Sequence, residues 1–180
     1  MSPAQLCQIW DAFQPRLLLI ARSMAGSSEL ESHAEDAVQE AFIELARTQN
    51  PPNDVEGWLV QVTRRRMIDF RRREQSQKRR DHLHGTRAQA RDSWFESDAH
   101  TSIEERELHV QLTSELRKLP DQNRQIIVLA HWGNQSFAQI AKLTESSKST
   151  VHRRYAESIE RLREAVGCIE DCRPTNVSNR

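Results

Sequence analysis

Glycine is scarce in this chain, five in 180 residues, and cysteine is scarcer, at three. With few glycines and an apolar pattern repeating at three- and four-residue spacing nearly throughout, the chain reads as all-α. Cys7, Cys168 and Cys172 are too few and too scattered for a disulfide framework. Cys168-x-x-x-Cys172 is not a standard zinc spacing and no Cys/His cluster completes it, so no metal and no cofactor are expected. No apolar run approaches membrane-spanning length, Leu17–Ala21 being far too short, so no membrane insertion is expected. No stretch near the N-terminus combines a basic start, an apolar centre and a small-residue cleavage site, and a cytoplasmic location is expected. Net charge is absent too: 26 Lys+Arg balance 26 Asp+Glu, so bulk electrostatics select no partner.

The distribution of charge is more informative than its sum. The first sixty residues hold only Arg16, Arg22 and Arg47 against an acidic set including Asp11, Glu29, Glu31, Glu35, Asp36, Glu40 and Glu44. Basic residues crowd into Arg64–Arg66, Arg71–Arg73 and Lys78–Arg80. One surface thus suits a basic protein partner and another a polyanion.

Leu6, Ile9, Trp10 and Phe13 predict a first helix, which Pro15 ends or hands to the first turn of a second. Leu17, Ile20, Ala21 and Met24 carry that second stripe to Gly26. A third helix is predicted from Glu31 to Ala46, with Ala34, Ala37, Val38, Ala41, Phe42 and Leu45 as its apolar face, ending before Asn50-Pro51-Pro52-Asn53. Val55, Trp58, Leu59 and Val62 begin a fourth, with Trp58 in the core, that runs into the arginines. Periodicity is lost from Glu74 to about Thr101, which reads as a flexible connector. Leu108, Leu112, Leu116 and Leu119 mark the next helix, stopped by Pro120. Asp121 is the expected N-cap of a helix carrying Ile126, Ile127, Leu129 and Ala130. After a Gly133-Asn134 turn, Ser136 caps a short helix over Phe137–Leu143 and Ser147 a longer one to about Val166. The expected organisation is two small helical domains, 1–73 and 105–166, joined by a flexible linker over 74–104, with a disordered tail over 167–180.

Three constellations carry function. A short helix, a tight turn and a longer helix opening Lys148-Ser149-Thr150-Val151-His152-Arg153-Arg154 follow helix-turn-helix grammar, with Ala141 allowing a close crossing. Lys148, Ser149, His152 and Arg153 would face a major groove; an ordinary helical hairpin with a solvated basic face is the alternative. Arg64, Arg65 and Arg66 recur seven residues later as Arg71, Arg72 and Arg73, on one side of a helix, and imply a second DNA contact. Trp58 and Phe70 are nearby rings to consider as stacking platforms. Glu35, Asp36, Gln39 and Glu40 line the polar side of the third helix. Paired carboxylates there, with His33 one turn from Asp36, allow acid/base work or a divalent metal. No second Glu-x-x-His helix supplies matching ligands, which favours a protein-docking surface.

His33-Ala34-Glu35-Asp36-Ala37-Val38-Gln39-Glu40-Ala41-Phe42 resembles the Asp-Ala-Glu-Asp-x-x-Gln-Glu-x-Phe segment of the extracytoplasmic-function (ECF) sigma factors. Trp58-Leu59, Arg64, Ile68-Asp69 and Arg71–Arg73 resemble that family's next helix. Leu119-Pro120 with Arg124-Gln125-Ile126-Ile127-Val128-Leu129 resembles the opening of its second domain. Ser136-Phe137 through Ile140-Ala141, then Ser147, Thr150-Val151 and Arg154, resemble its helix-turn-helix. The resemblance implies a non-enzymatic alternative sigma factor that binds RNA polymerase core and promoter DNA. It implies docking of Glu35, Asp36, Gln39 and Glu40 on the clamp helices of core. It implies melting and reading of the minus-ten element by the loop Thr48–Asp54, which captures a flipped base, and by the helix Trp58–Arg73. Lys148, Ser149, Thr150, His152, Arg153 and Arg154 would read the minus-thirty-five element. The connector would thread toward the polymerase's active-site and RNA-exit channels, and any anti-sigma factor that controls the chain would be a third partner. Three departures stand out: His33 for the usual aspartate, Arg65 for a common asparagine, and Glu145-Ser146 where a turn glycine and an apolar residue are usual. Two other readings remain at this level, a stand-alone helix-turn-helix regulator and a metal-dependent helical enzyme built on Glu35, Asp36 and Glu40.

Overall fold

The computed structural model describes residues 2–80, 92–95 and 100–166, and no strand occurs among them. The chain divides into two compact units, Met1–Arg91 and Asp92–Arg180. The expected linker at 81–91 and 96–99, the tail over 167–180, and with it Cys168 and Cys172, lie outside the described residues.

The first unit contains α1 (Pro3–Met24), α2 (Ser28–Ser32), α3 (Ala34–Arg47) and α4 (Val55–Arg80). Ser2 and Gln5 close a capping box over α1, with Pro3 at the position where a missing N–H costs nothing. The expected break at Pro15 does not occur: α1 runs through it. Pro15 withholds one hydrogen bond from the Asp11 carbonyl, but both residues are exposed, so water can satisfy it. From Leu17 to Met24 every residue of α1 is buried. α3 and α4 pack against this stretch through Ala37, Val38, Ala41, Phe42 and Leu45, and through Leu59, Val60, Val62 and Met67. Trp10 meets Phe42 edge to face at 4.7 Å between ring centroids.

The helix expected over 31–46 is instead two, divided at His33. Ser32 Oγ donates to the Glu29 carbonyl at 2.6 Å, and His33, at ψ 1°, turns the chain between α2 and α3. Trp58 is half-buried rather than core, because Leu59, Val60, Val62 and Thr63 take the inner face of α4. α4 also continues seven residues past Arg73, to Arg80. The loss of apolar periodicity after Glu74 marks exposure, not the end of the helix, since Glu, Gln, Lys and Arg are good helix formers.

The second unit contains α5 (Ile103–Lys118), α6 (Asp121–His131), α7 (Phe137–Leu143) and α8 (Lys148–Val166). α6 is its centre, buried continuously from Arg124 to Ala130. Leu116 and Leu119 enter the core, but Leu108 is exposed, so only the C-terminal half of α5 packs as the leucine stripe predicts. Pro120, not Asp121, is the N-cap of α6; Asp121 occupies the first turn and holds Arg124 at 2.8 Å. Buried Arg124 also donates to the Leu119 carbonyl at 3.3 Å, satisfying a chain end left open by α5.

Trp94, expected in the linker, belongs to this core: it is 2% exposed. Its backbone N–H donates to Thr113 Oγ1 at 3.1 Å, and the guanidiniums of Arg117 and Arg124 lie 5.0 and 5.9 Å from its ring centroid. Gly133 follows α6 where a Cβ would come within 2.8 Å of the Leu129 carbonyl oxygen, so the turn requires glycine.

Candidate nucleic-acid and protein interfaces

Serine caps build the helix-turn-helix. Ser136 and Gln139 close a capping box at the start of α7. The Thr150 N–H donates to Ser147 Oγ at 3.1 Å at the start of α8. Between the helices Glu145 adopts φ 51°, the left-handed conformation that glycine takes at little cost, and Ser146 N–H returns to the Ala141 carbonyl at 2.9 Å. Buried Val151 and Leu162 fix the inner face of α8. Lys148, Ser149, His152 and Arg153 are consequently exposed, while Thr150 and Arg154 are half-buried. Arg153 pairs with Glu157 at 2.8 Å, and Arg154 donates to Gln122 of α6. Behind the exposed face, Phe137 touches the rings of both His152 and Tyr155. Tyr155 Oη and His131 Nε2 are 3.1 Å apart. Burial holds the His131 imidazole below its ordinary pKa; it pushes the Tyr155 hydroxyl up, against the opposing charge of Arg163.

The two arginine triplets of α4 are not equivalent in surroundings. Arg65 Nη2 lies 2.7 and 2.8 Å from the two Glu44 oxygens, and Arg66 reaches Glu44 at 2.9 Å and Glu40 at 3.1 Å. Hydrogen bonding from Arg65, with the charges of both arginines, holds the Glu44 carboxyl below its ordinary range, against the smaller opposing effect of its own desolvation. Arg71 donates to the Met24 carbonyl at 2.7 Å and so closes the end of α1. Arg72 and Arg73 are exposed; Arg73 lies 5.8 Å over the Phe70 ring. Asp54 closes the loop before α4 by accepting the Gly57 N–H at 2.8 Å. From Gln49 to Asp54 that loop is exposed except at Pro52.

On α3, Asp36 and Gln39 are exposed. Glu35 reaches back to buried Arg22 at 3.4 Å, and Glu40 is the partner of Arg66. His33 Nδ1 lies 3.4 Å from Asp36, and its ring stacks on Phe70 at 4.8 Å, so Phe70 is covered on one side rather than offered as a platform. Two further residues lie beside this face that the sequence did not single out as site candidates. Ile43, 49% exposed, continues the Asp36–Gln39 line by one turn, and its spacing alone was the signal. Glu44 ties both arginines; its signal was its place one turn beyond Glu40. No group of three or more His, Cys, Asp or Glu among the described residues could hold a metal ion, and Cys7 is exposed and free.

Residues 9–77 match the family Sigma-70 region 2, and residues 109–162 match Sigma-70 region 4. Among similar proteins, the ECF RNA polymerase sigma factor SigK of Mycobacterium ulcerans is 27% identical over 74% of this chain and 72% of its own length. The SigK of Mycobacterium tuberculosis H37Rv is 25% identical over the same shares. A solved structure, the sigma factor RpoE from Bartonella quintana in complex with the anti-sigma factor NepR, shares the fold. It has a TM-score of 0.65 and 17% identity, and the likeness covers 92% of this chain and 98% of that one.

Proposed function

The chain belongs to the sigma-70 family, in its extracytoplasmic-function group, and from that premise we propose which of its residues carry each part of the activity. It is an alternative sigma factor: it binds RNA polymerase core, recognises promoter DNA and promotes transcription initiation, and it is not an enzyme. A stand-alone regulator is not favoured, because such a protein has no use for the region 2 sequence that fills residues 9–77.

Asp36 and Gln39 form the centre of the surface that docks on the clamp helices of core, with Glu35 and Glu40 beside them. What supports this is their exposure on a helix whose other face is wholly buried, and the acidic character of that edge. Arg72 and Arg73 are the best placed of the six arginines to meet the minus-ten region. Arg64, Arg65, Arg66 and Arg71 follow, and the exposed loop over 48–54 is the place for a flipped base. Lys148, Ser149, His152 and Arg153 read the minus-thirty-five element, with Thr150 and Arg154 supporting them. The promoter-reading domains run to the end of α4 and from the Trp94 segment to α8, the residues between them forming the linker. The structural relative was solved with an anti-sigma factor, which supports a comparable partner here. A role with polymerase and promoter supports a cytoplasmic location. No helix among the described residues is long and apolar enough to cross a membrane.

The observation that carries the assignment is the order of the two matches, one in each unit. Its test is binding to bacterial core polymerase. Wild type is retained, and Asp36→Ala/Gln39→Ala loses affinity by about tenfold or more, the usual effect of removing a desolvated polar anchor. Unchanged retention of the double variant would move the docking face elsewhere.

A further inference from the structure

His152 stands one turn beyond Lys148, on the exposed face of α8 assigned to the minus-thirty-five element. An aromatic ring supports it from behind: the Phe137 and His152 ring centroids are 5.5 Å apart at 81°, an edge-to-face contact. Phe137 is itself fixed twice. The Ser136–Gln139 capping box sets it in the first turn of α7, and its ring meets that of Tyr155 at 5.1 Å. Tyr155 Oη in turn lies 3.1 Å from His131 Nε2 of α6, within hydrogen-bond reach. We propose that Phe137 is a positioning residue that sets the aim of the His152 imidazole, and that His152 so aimed selects guanine in the minus-thirty-five element. This rests on the assignment of α8 to that element above.

The physics is a matter of freedom and direction. An exposed side chain loses rotational freedom when it is fixed against a base, and that loss weakens the contact. The Phe137 ring restricts the imidazole before DNA arrives, so less is lost on binding. A phosphate accepts a hydrogen bond from many directions, whereas a base edge rewards one, so a fixed ring favours base readout over backbone contact. An imidazole N–H is a donor, and guanine alone presents two acceptors, N7 and O6, side by side in the major groove. The support beneath His152 is also uncharged. Burial holds His131 below its ordinary pKa and Tyr155 above its own, so both are neutral at neutral pH. Salt does not screen such a tie, and DNA phosphates do not draw it away.

The test takes a promoter at which the chain directs initiation, randomises its minus-thirty-five element, and sequences the duplexes retained by the full chain with core polymerase. Wild type enriches guanine at one base pair. His152→Ala loses that preference by about fivefold or more, the ordinary cost of one mismatched base pair. Phe137→Leu loses about two- to fivefold at the same base pair and at no other. Phe137→Tyr keeps the ring and the preference, and Phe137→Leu/His152→Ala loses no more than His152→Ala. Equal weakening of every sequence by Phe137→Leu would reduce the ring to packing. Losses that add in the double variant would show that it acts apart from His152. Either result overturns the proposal, as does wild-type selection by His152→Ala when Lys148→Ala/Arg153→Ala loses selection. The underlying assignment fails separately, if Lys148→Ala/Arg153→Ala selects as wild type does. Should Phe137→Leu unfold, the proton spectrum of the wild-type chain decides. The Phe137 ring current displaces the His152 ring protons from free-imidazole positions, and unshifted resonances would remove the contact.

Discussion

Glu145 is strained where a glycine would not be. A non-glycine residue at φ 51° carries about 1–2 kcal/mol of left-handed strain, partly offset by the backbone entropy that glycine loses on folding. Glu145→Gly is expected to stabilise the second unit by about 1 kcal/mol, measured as a rise in its melting temperature. A fall would mean that the Glu145 side chain makes a compensating contact. His131 gives a pH dependence of definite sign. Burial lowers its pKa in the folded state, so between that value and the unfolded value near 6.5 the unfolded chain binds more protons. The second unit should therefore lose stability as pH falls below about 6.5 and be unaffected above it. His131→Gln should flatten that slope in denaturant titrations; an equal slope would assign it to other groups. The arginines show the limit of reading single residues. Their number and spacing were plain in the sequence. Yet Arg71 closes α1 and Arg65 and Arg66 are tied by α3, and those partners lie 21 to 47 positions away.

At the scale of elements, seven of the eight helices among the described residues were legible as apolar stripes or capped segments, because burial on one face leaves a period in the sequence. The boundaries were less so. Pro15 looked like a stop, but an exposed proline costs a helix one solvated carbonyl and does not have to end it. α2 was hidden, since five residues hold too little periodicity to separate from α3. α4 outlasted its apolar face by turns of charged residues that favour helix without needing a core. The Trp94 segment was missed for the opposite reason: an isolated aromatic has no period at all, and its burial depends on Thr113, Arg117 and Arg124. Trp94→Ala should accordingly destabilise the second unit by about 3–5 kcal/mol in urea unfolding. A loss under about 1 kcal/mol would place the ring outside the core.

The whole molecule combines two small helical units with separate cores, each presenting polar side chains from a helix whose other face is buried. Neutral net charge conceals an uneven distribution: an acidic helix edge, proposed to meet protein, and basic helices, proposed to meet nucleic acid, share one chain. The exposure of the proposed site residues on α3 and α8 was legible because it follows directly from the apolar stripes opposite them. The ion pairs of Glu40 and Glu44 with Arg65 and Arg66 were not, because they depend on how α3 crosses α4. A sigma factor acts only through its polymerase. The direct measurement is therefore transcription in vitro from fragmented genomic DNA of the source organism, with core polymerase, with and without the chain, reading the 5′ ends of the transcripts. Promoter-directed initiation by the chain predicts new, discrete start sites that require it and disappear with Lys148→Ala/Arg153→Ala. Start sites identical to those of core alone, together with tight binding of the isolated chain to duplex DNA, would contradict it.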